Sequence, residues 1–135
     1  MRVIVAHLHP VSARLHFYRV CYDGQPSVCL PQPLSPLSTL HDVHLPQGAL
    51  MHPAQMIQPI ADRLGLAPDA LSVASALLGW VESPGEWIPV ALLRIGGSRL
   101  PQLAEGKFIT LLDLLQLPVT ERLLLRKAYE ALLGD

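Results

Sequence analysis

The run of residues 87–95, Trp-Ile-Pro-Val-Ala-Leu-Leu-Arg-Ile, limits the possible folds more than any other stretch. It is almost continuously apolar, yet far shorter than the ~18 residues a membrane span needs. It reads as a strand buried on both faces. Pro89 is expected at a bulge or an edge, because proline has no N–H to give to a ladder. Ser83-Pro84-Gly85-Glu86 marks a turn just before it. Residues 71–81 upstream are ambiguous. Their alanines and leucines permit a helix, whereas Val73, Trp80 and Val81 favour a sheet. The symmetry about the turn favours a hairpin of 73–82 with 87–95.

A second stretch, residues 53–66, has helical periodicity. Met56, Ile57, Ile60, Ala61 and Leu64 fall on one face, with Asp62 and Arg63 on or near the other. Pro53 suits the first turn and Gly65 a left-handed stop. Pro59 is discordant, since an interior proline costs about 3 kcal/mol. Either the helix is kinked, or 53–58 is a separate turn and the firm helix starts at Pro59.

The rest of the chain supplies shorter pieces. Residues 2–6 form a strand candidate that His7-Leu8-His9-Pro10 ends. Residues 14–22 alternate, and Asp23-Gly24 signals a hairpin with 27–30 returning. Residues 31–46 are expected as a long proline-rich loop. Residues 108–110 form a short strand, and Thr110 is placed to cap a single turn over 111–115. Thr120 is expected to cap a last helix reaching Leu133.

Composition narrows the class. The 135 residues suffice for one domain, 1–135, and 50% of them are hydrophobic. Charged residues are only 16%, and net charge is -1 with no basic run, which argues against nucleic acid and anionic membranes as partners. The N-terminus reads as a strand rather than a signal peptide. In a two-residue hairpin at Asp23-Gly24, Cys21 would face Pro26 and Cys29 would face Tyr18, so a disulfide is not favoured. Free thiols suit a cytoplasmic protein.

The order of pieces then resembles the Nudix family. Leu45-Pro46-Gln47-Gly48, a helix ending Asp62-Arg63-Leu64-Gly65-Leu66, Pro68-Asp69-Ala70-Leu71 and an apolar hairpin follow its sequence of elements. Glu105-Gly106-Lys107-Phe108, Leu115-Gln116-Leu117-Pro118 and a terminal helix are similar to its end. The resemblance runs from about His41 to the C-terminus. It implies an α/β (α+β) fold, an α/β/α sandwich with a mixed central sheet and two main helices. It also implies a divalent cation, Mg²⁺ or Mn²⁺, held by glutamates while a nucleoside diphosphate derivative is hydrolysed.

The family's box ends Arg-Glu-apolar-any-Glu-Glu-any-Gly-apolar. Here Ile60, Gly65 and Leu66 keep structural positions, but Gln58 and Pro59 replace Arg-Glu. Asp62 is a shortened carboxylate, and Arg63 stands where a glutamate would hold the metal. The segment before the helix is also shorter than the family's. The expectation is a domain without the usual activity or cofactor, which binds a small, nucleotide-like ligand or a protein partner. The alternative is a hydrolase whose metal site has moved to Asp62, Glu82 or Glu86, with Glu105 also worth testing.

Other residues carry weaker signals. Glu82 and Glu86 bracket the hairpin turn, where solvated glutamates are common. Trp80 and Trp87 would face each other across it, as cross-strand packing or as a stack on a flat ligand. His41, His44 and His52 are read as exposed loop histidines rather than zinc ligands. His7 and His9 would share one side of a strand, but Pro10 follows at once. Residues 111–133 are rich in leucine and offer a surface for a homodimer.

Overall fold

β6 (Glu86–Ile95) runs between two partner strands, with Ile88 to Leu93 buried. The computed structural model describes residues 1–42 and 51–134. Within them the order is β1 (Arg2–Leu8), β2 (Leu15–Tyr22), β3 (Gln25–Ser27), β4 (Thr39–His41), α1 (Ile57–Leu64), β5 (Leu71–Ser83), β6, β7 (Lys107–Ile109) and α2 (Val119–Leu133). The strands make one mixed seven-stranded sheet ordered β3-β2-β1-β6-β5-β4, with β7 also pairing β2. β1 and β6 are parallel, and the other pairs among the described residues are antiparallel.

The alternation of β1 and β6 feeds two cores. Val3, Val5, Ala91, Leu93 and Ile95 pack with Met56, Ile60, Ala61 and Leu64, which places α1 on that face. Ile4, Ala6, Val90 and Leu92 pack with Leu124, Leu125 and Ala128 of α2 on the other. Both faces of the central strands are therefore covered by a helix, which is what an apolar strand without alternation requires.

The β5–β6 hairpin settles the ambiguity of residues 71–81 in favour of strand. Pro84 and Gly85 (φ 84°) form its two-residue turn. Ser83 pairs with Glu86, and Glu82 with Trp87. β5 carries extra residues relative to β6 at two irregularities, between Val73 and Ser75 and between Ser75 and Gly79. That Ala- and Ser-rich half alternates between exposed and half-buried, so it tolerates bulging. Pro89 pairs with Trp80, one residue before β1 begins at Arg2–Val90. It thus sits where β6 has an edge, and the missing N–H is tolerated.

α1 resolves the Pro59 conflict. Pro53–Met56 is a 3-10 turn and the α-helix proper starts at Ile57, which puts Pro59 in its first turn, where no intrahelical acceptor awaits its N–H. Gly65 ends the helix at φ 76°, and its N–H reaches Ala61 O and Asp62 O. Asp23 and Gly24, both at positive φ, turn β2 into β3, and Cys21 faces Pro26 as expected. Both cysteines are free, Cys21 exposed and Cys29 buried. Thr110 caps the turn Leu111–Gln116 in a reciprocal box with Asp113.

Four expectations need correction. The loop after Pro31 contains β4, because Thr39, Leu40 and His41 pair with Glu82, Val81 and Trp80. β1 continues through His7 and Leu8, held by pairing with His16 and Leu15. Pro118, not Thr120, is the N-cap of α2, and the Thr120 hydroxyl donates to Ser38 O at 2.7 Å instead. The strand after the Asp23-Gly24 turn is Gln25–Ser27 rather than 27–30, although Leu30 still exchanges backbone hydrogen bonds with Val3. His44 and Leu45-Pro46-Gln47-Gly48 lie outside the described residues.

Two glycines at positive φ should separate by substitution. Gly65→Ala meets open space and should cost about 1 kcal/mol, the strain of a left-handed alanine. At Gly106 a Cβ would lie 2.5 Å from Arg19 O and 2.7 Å from the Tyr18 ring. Gly106→Ala should therefore cost about 3 kcal/mol, strain plus overpacking, in urea unfolding of the two variants.

Candidate functional site

α1 carries Asp62 and Arg63 on adjacent positions, and the structure gives them different surroundings. Asp62 is exposed and takes a hydrogen bond from Gln58 Nε2 one turn earlier, at 2.8 Å. Arg63 turns toward the sheet side. Its Nε donates to Glu105 Oε1 at 3.0 Å and its Nη1 to Pro31 O at 2.9 Å. Its guanidinium carbon also lies 5.6 Å from the centroid of the Tyr22 ring, within cation–π range. Burial works against the charge of Arg63, but the hydrogen bond to Glu105 and the proximity of Tyr22 outweigh it and push the guanidine pKa upward.

Each partner of Arg63 is itself fixed. Tyr22 OH donates to Cys29 O at 2.7 Å, and Tyr18 OH donates to Glu105 O at 3.0 Å. Burial, with the Glu105 charge adding to it, pushes the Tyr18 hydroxyl up to about 12. The close approach at Gly106 sets the backbone beside Glu105 against β2. Arg63 therefore ties α1 to the Pro31 backbone and to the segment leading into β7.

A divalent cation does not fit this arrangement. At the position where the resemblance implies a metal-holding glutamate stands a guanidinium, and Glu105, the carboxylate it contacts, is already paired with it. A cation there would meet the repulsion of Arg63 before it gained any oxygen ligand. Among the described residues, no group of three or more His, Cys, Asp or Glu is placed to hold a metal ion.

The hairpin candidates separate as well. Glu82 pairs with Trp87 while Glu86 pairs with Ser83, so the pleat sends the two carboxylates to opposite faces. They do not form an acid–base pair. Trp80 lies opposite Pro89 rather than Trp87, so the two tryptophans are diagonal neighbours and do not face each other. Trp80 is buried, and its Nε1 has no partner among the described residues. Trp87 is 41% exposed.

What does assemble is a polar group on the β4 edge. His41 Nε2 lies 2.9 Å from Glu82 Oε1, and the His41 ring meets Trp87 edge-on at 5.0 Å. Cross-strand registry explains this, because Thr39, Glu82 and Trp87 are aligned across three strands and His41 follows two residues on. His52 is not a ligand candidate in this geometry. Its Nδ1 accepts the Ala54 N–H and caps the 3-10 turn before α1.

Glu121 is a residue that sequence patterns did not single out. It lies in the first turn of α2 with only 2% exposure. Its Oε1 accepts from Val28 N at 2.7 Å and Ser27 Oγ at 3.0 Å. Burial pushes its carboxyl pKa up, while these two hydrogen bonds oppose that shift. A glutamate three residues after a helix cap gives no hint of burial, because its partners lie more than ninety residues earlier in the chain.

No protein-family model matches the chain, and no curated protein matches it either.

The raised pKa of Glu121 fixes the sign of a pH effect. A carboxyl that holds its proton more tightly when folded contributes stability below its unfolded pKa, and that contribution is lost as pH rises through the folded value. Glu121→Gln keeps an acceptor for Val28 and Ser27 but cannot ionise. Relative to the wild type, its stability should rise from pH 4 upward and level off above the folded pKa, as measured by urea unfolding. Glu121→Ala strands two buried donors and should cost about 3 kcal/mol near pH 4, a cost that shrinks as pH rises because alanine, like glutamine, cannot ionise.

Proposed function

We propose that this chain is a non-catalytic, Nudix-like domain of the cytoplasm that binds a small ligand or a protein partner and forms a homodimer. The observation that carries the reading is Arg63, held by Glu105, Pro31 and Tyr22 at the position corresponding to a metal-holding glutamate. A mobile arginine in that place would leave the metal question open. One tied to two acceptors and an aromatic face has a structural role of its own, which supports a site without the ion. The homodimer rests on exposed apolar side chains beside and along α2, notably Leu112 at 93% and Leu115 at 84% exposure. Among the described residues, no helix is long and apolar enough to cross a membrane.

A phosphoanhydride hydrolase with a relocated Mg²⁺ or Mn²⁺ site is the rival. It draws on the His41–Glu82 contact, the closest pairing of an imidazole with one of the candidate carboxylates. It would use Asp62, Glu82 or Glu86, and Glu82 and Glu86 cannot act as a pair because they sit on opposite faces of their hairpin.

A panel of nucleoside diphosphate derivatives incubated with the protein and Mg²⁺ or Mn²⁺ separates the two. No turnover is expected. Turnover that Glu82→Gln or Glu86→Gln abolishes would defeat the non-catalytic reading. Arg63→Ala should lower stability by about 1–2 kcal/mol through loss of the Glu105 and Pro31 contacts, read from the denaturation midpoint.

A further inference from the structure

The carboxyl ends of β1 and β6, the parallel pair at the centre of the sheet, open into a cavity of about 270 Å³. Its walls come from three places. β1 and the turn after it give His7 and His9, the start of β2 gives Arg14 and His16, and the loop after β6 gives Ser98 and Arg99. No carboxylate lines it among the described residues. The carboxyl ends of parallel strands are where ligands gather in α/β sheets, because side chains from successive loops converge there.

Two buried nitrogens point to an absent partner. His7 is 2% exposed, and its Nε2 lies 3.0 Å from Gly97 O, so that nitrogen carries a proton. Its Nδ1 is buried with no hydrogen-bond partner among the described residues, and the same holds for Nδ1 of His16. The two histidines are cross-strand neighbours on one face. Burying such an atom unpaired costs on the order of 1–3 kcal/mol.

The third histidine is oriented by the turn. His9 Nδ1 accepts the N–H groups of Val11 and Ser12, at 3.2 Å and 3.0 Å, which leaves Nε2 as the protonated nitrogen. Arg14 and Arg99 are exposed, and neither guanidinium has an ion-pair or hydrogen-bond partner among the described residues. Two unpaired guanidinium groups repel a cation, so three nearby imidazoles do not make a metal site here.

We propose that this cavity is a binding site for a phosphate-type oxyanion, as free phosphate or as the phosphomonoester of a small molecule. Guanidinium forks match phosphate oxygens in geometry and charge. A phosphomonoester near neutral pH also shares its second proton with solvent, so it can donate to a bare imidazole Nδ1 as well as accept from a protonated one. The imidazole of His16 is pushed below its ordinary pKa by burial, then by His7 and Arg14. An anion bound among these groups reverses that balance. The site supplies a ligand class for the binding role inferred above, and rests on that reading only in treating the phosphate as ligand rather than substrate.

The test is titration of the full chain with inorganic phosphate at constant ionic strength, balanced with chloride and followed through the histidine ring resonances. The expected result is a saturable shift of the His7 and His16 signals, with the His16 titration midpoint moving to higher pH. The Arg14→Ala/Arg99→Ala variant should keep the phosphate-free position of the His7 signal, showing an intact site, and raise the phosphate-free His16 midpoint slightly because the Arg14 charge is gone. It should nevertheless bind phosphate at least about tenfold more weakly. Arg14→Lys/Arg99→Lys should recover part of the affinity. No saturable shift in the wild type, or an undiminished shift in the alanine variant, would overturn the proposal. Failure here leaves the non-catalytic reading standing, and turnover in the hydrolysis panel would leave this site standing.

Discussion

A strand with no polar face cannot lie at the surface of a sheet, and β6 imposes that condition on everything around it. Its side chains from Ile88 to Leu93 are buried toward both sides in turn. One side is closed by α1 through Met56, Ile60 and Leu64, and the other by α2 through Leu124, Leu125 and Ala128. Each fully buried side chain of this size contributes roughly 1.5–3 kcal/mol, so neither helix is optional. The parallel pairing of β6 with β1 follows from the same geometry, because α1, β5 and the turn return the chain to the centre of the sheet.

That layering decides where polar chemistry can exist. Apart from the buried Glu121 of α2, the polar clusters that bear on a site lie at the rim of α1, the β4 edge and the carboxyl ends of β1 and β6. At the α1 rim Arg63 and Glu105 neutralise each other, and the contact also holds Pro31 and Tyr22 in place. At the β4 edge the Glu82 carboxylate is engaged by His41 Nε2 beside Trp87. At the carboxyl ends the positive charges have no such partner among the described residues, which makes that rim chemically unlike the other two.

Features set by neighbouring residues could be read from the sequence. The Asp23-Gly24 and Pro84-Gly85 turns, the left-handed stop at Gly65, the Thr110 cap and the two helical faces depend on local conformation and spacing. β4 was hidden because three residues after a proline-rich stretch become a strand only by pairing with β5. The tryptophan geometry was within reach of counting. A two-residue turn at Pro84-Gly85 puts Glu82 against Trp87 and leaves Trp80 for Pro89. The partners of Arg63, Glu121 and His7 were not, since Glu105, Ser27, Val28 and Gly97 are distant in the chain and ordinary in type. Whether Asp62 and Arg63 served a metal or a scaffold was therefore a question of tertiary placement.

On the proposed reading, the guanidinium of Arg63 stands in for the cation that a glutamate there would recruit. Paramagnetic broadening of backbone amide signals by Mn²⁺ tests it most directly, because the effect is local and needs no substrate. Substoichiometric Mn²⁺ should leave the amides of Ile60 through Gly65 and of Glu105 as sharp as those of the central strands. Selective broadening centred on Arg63 and Glu105 would place a divalent ion at the end of α1 and contradict the account.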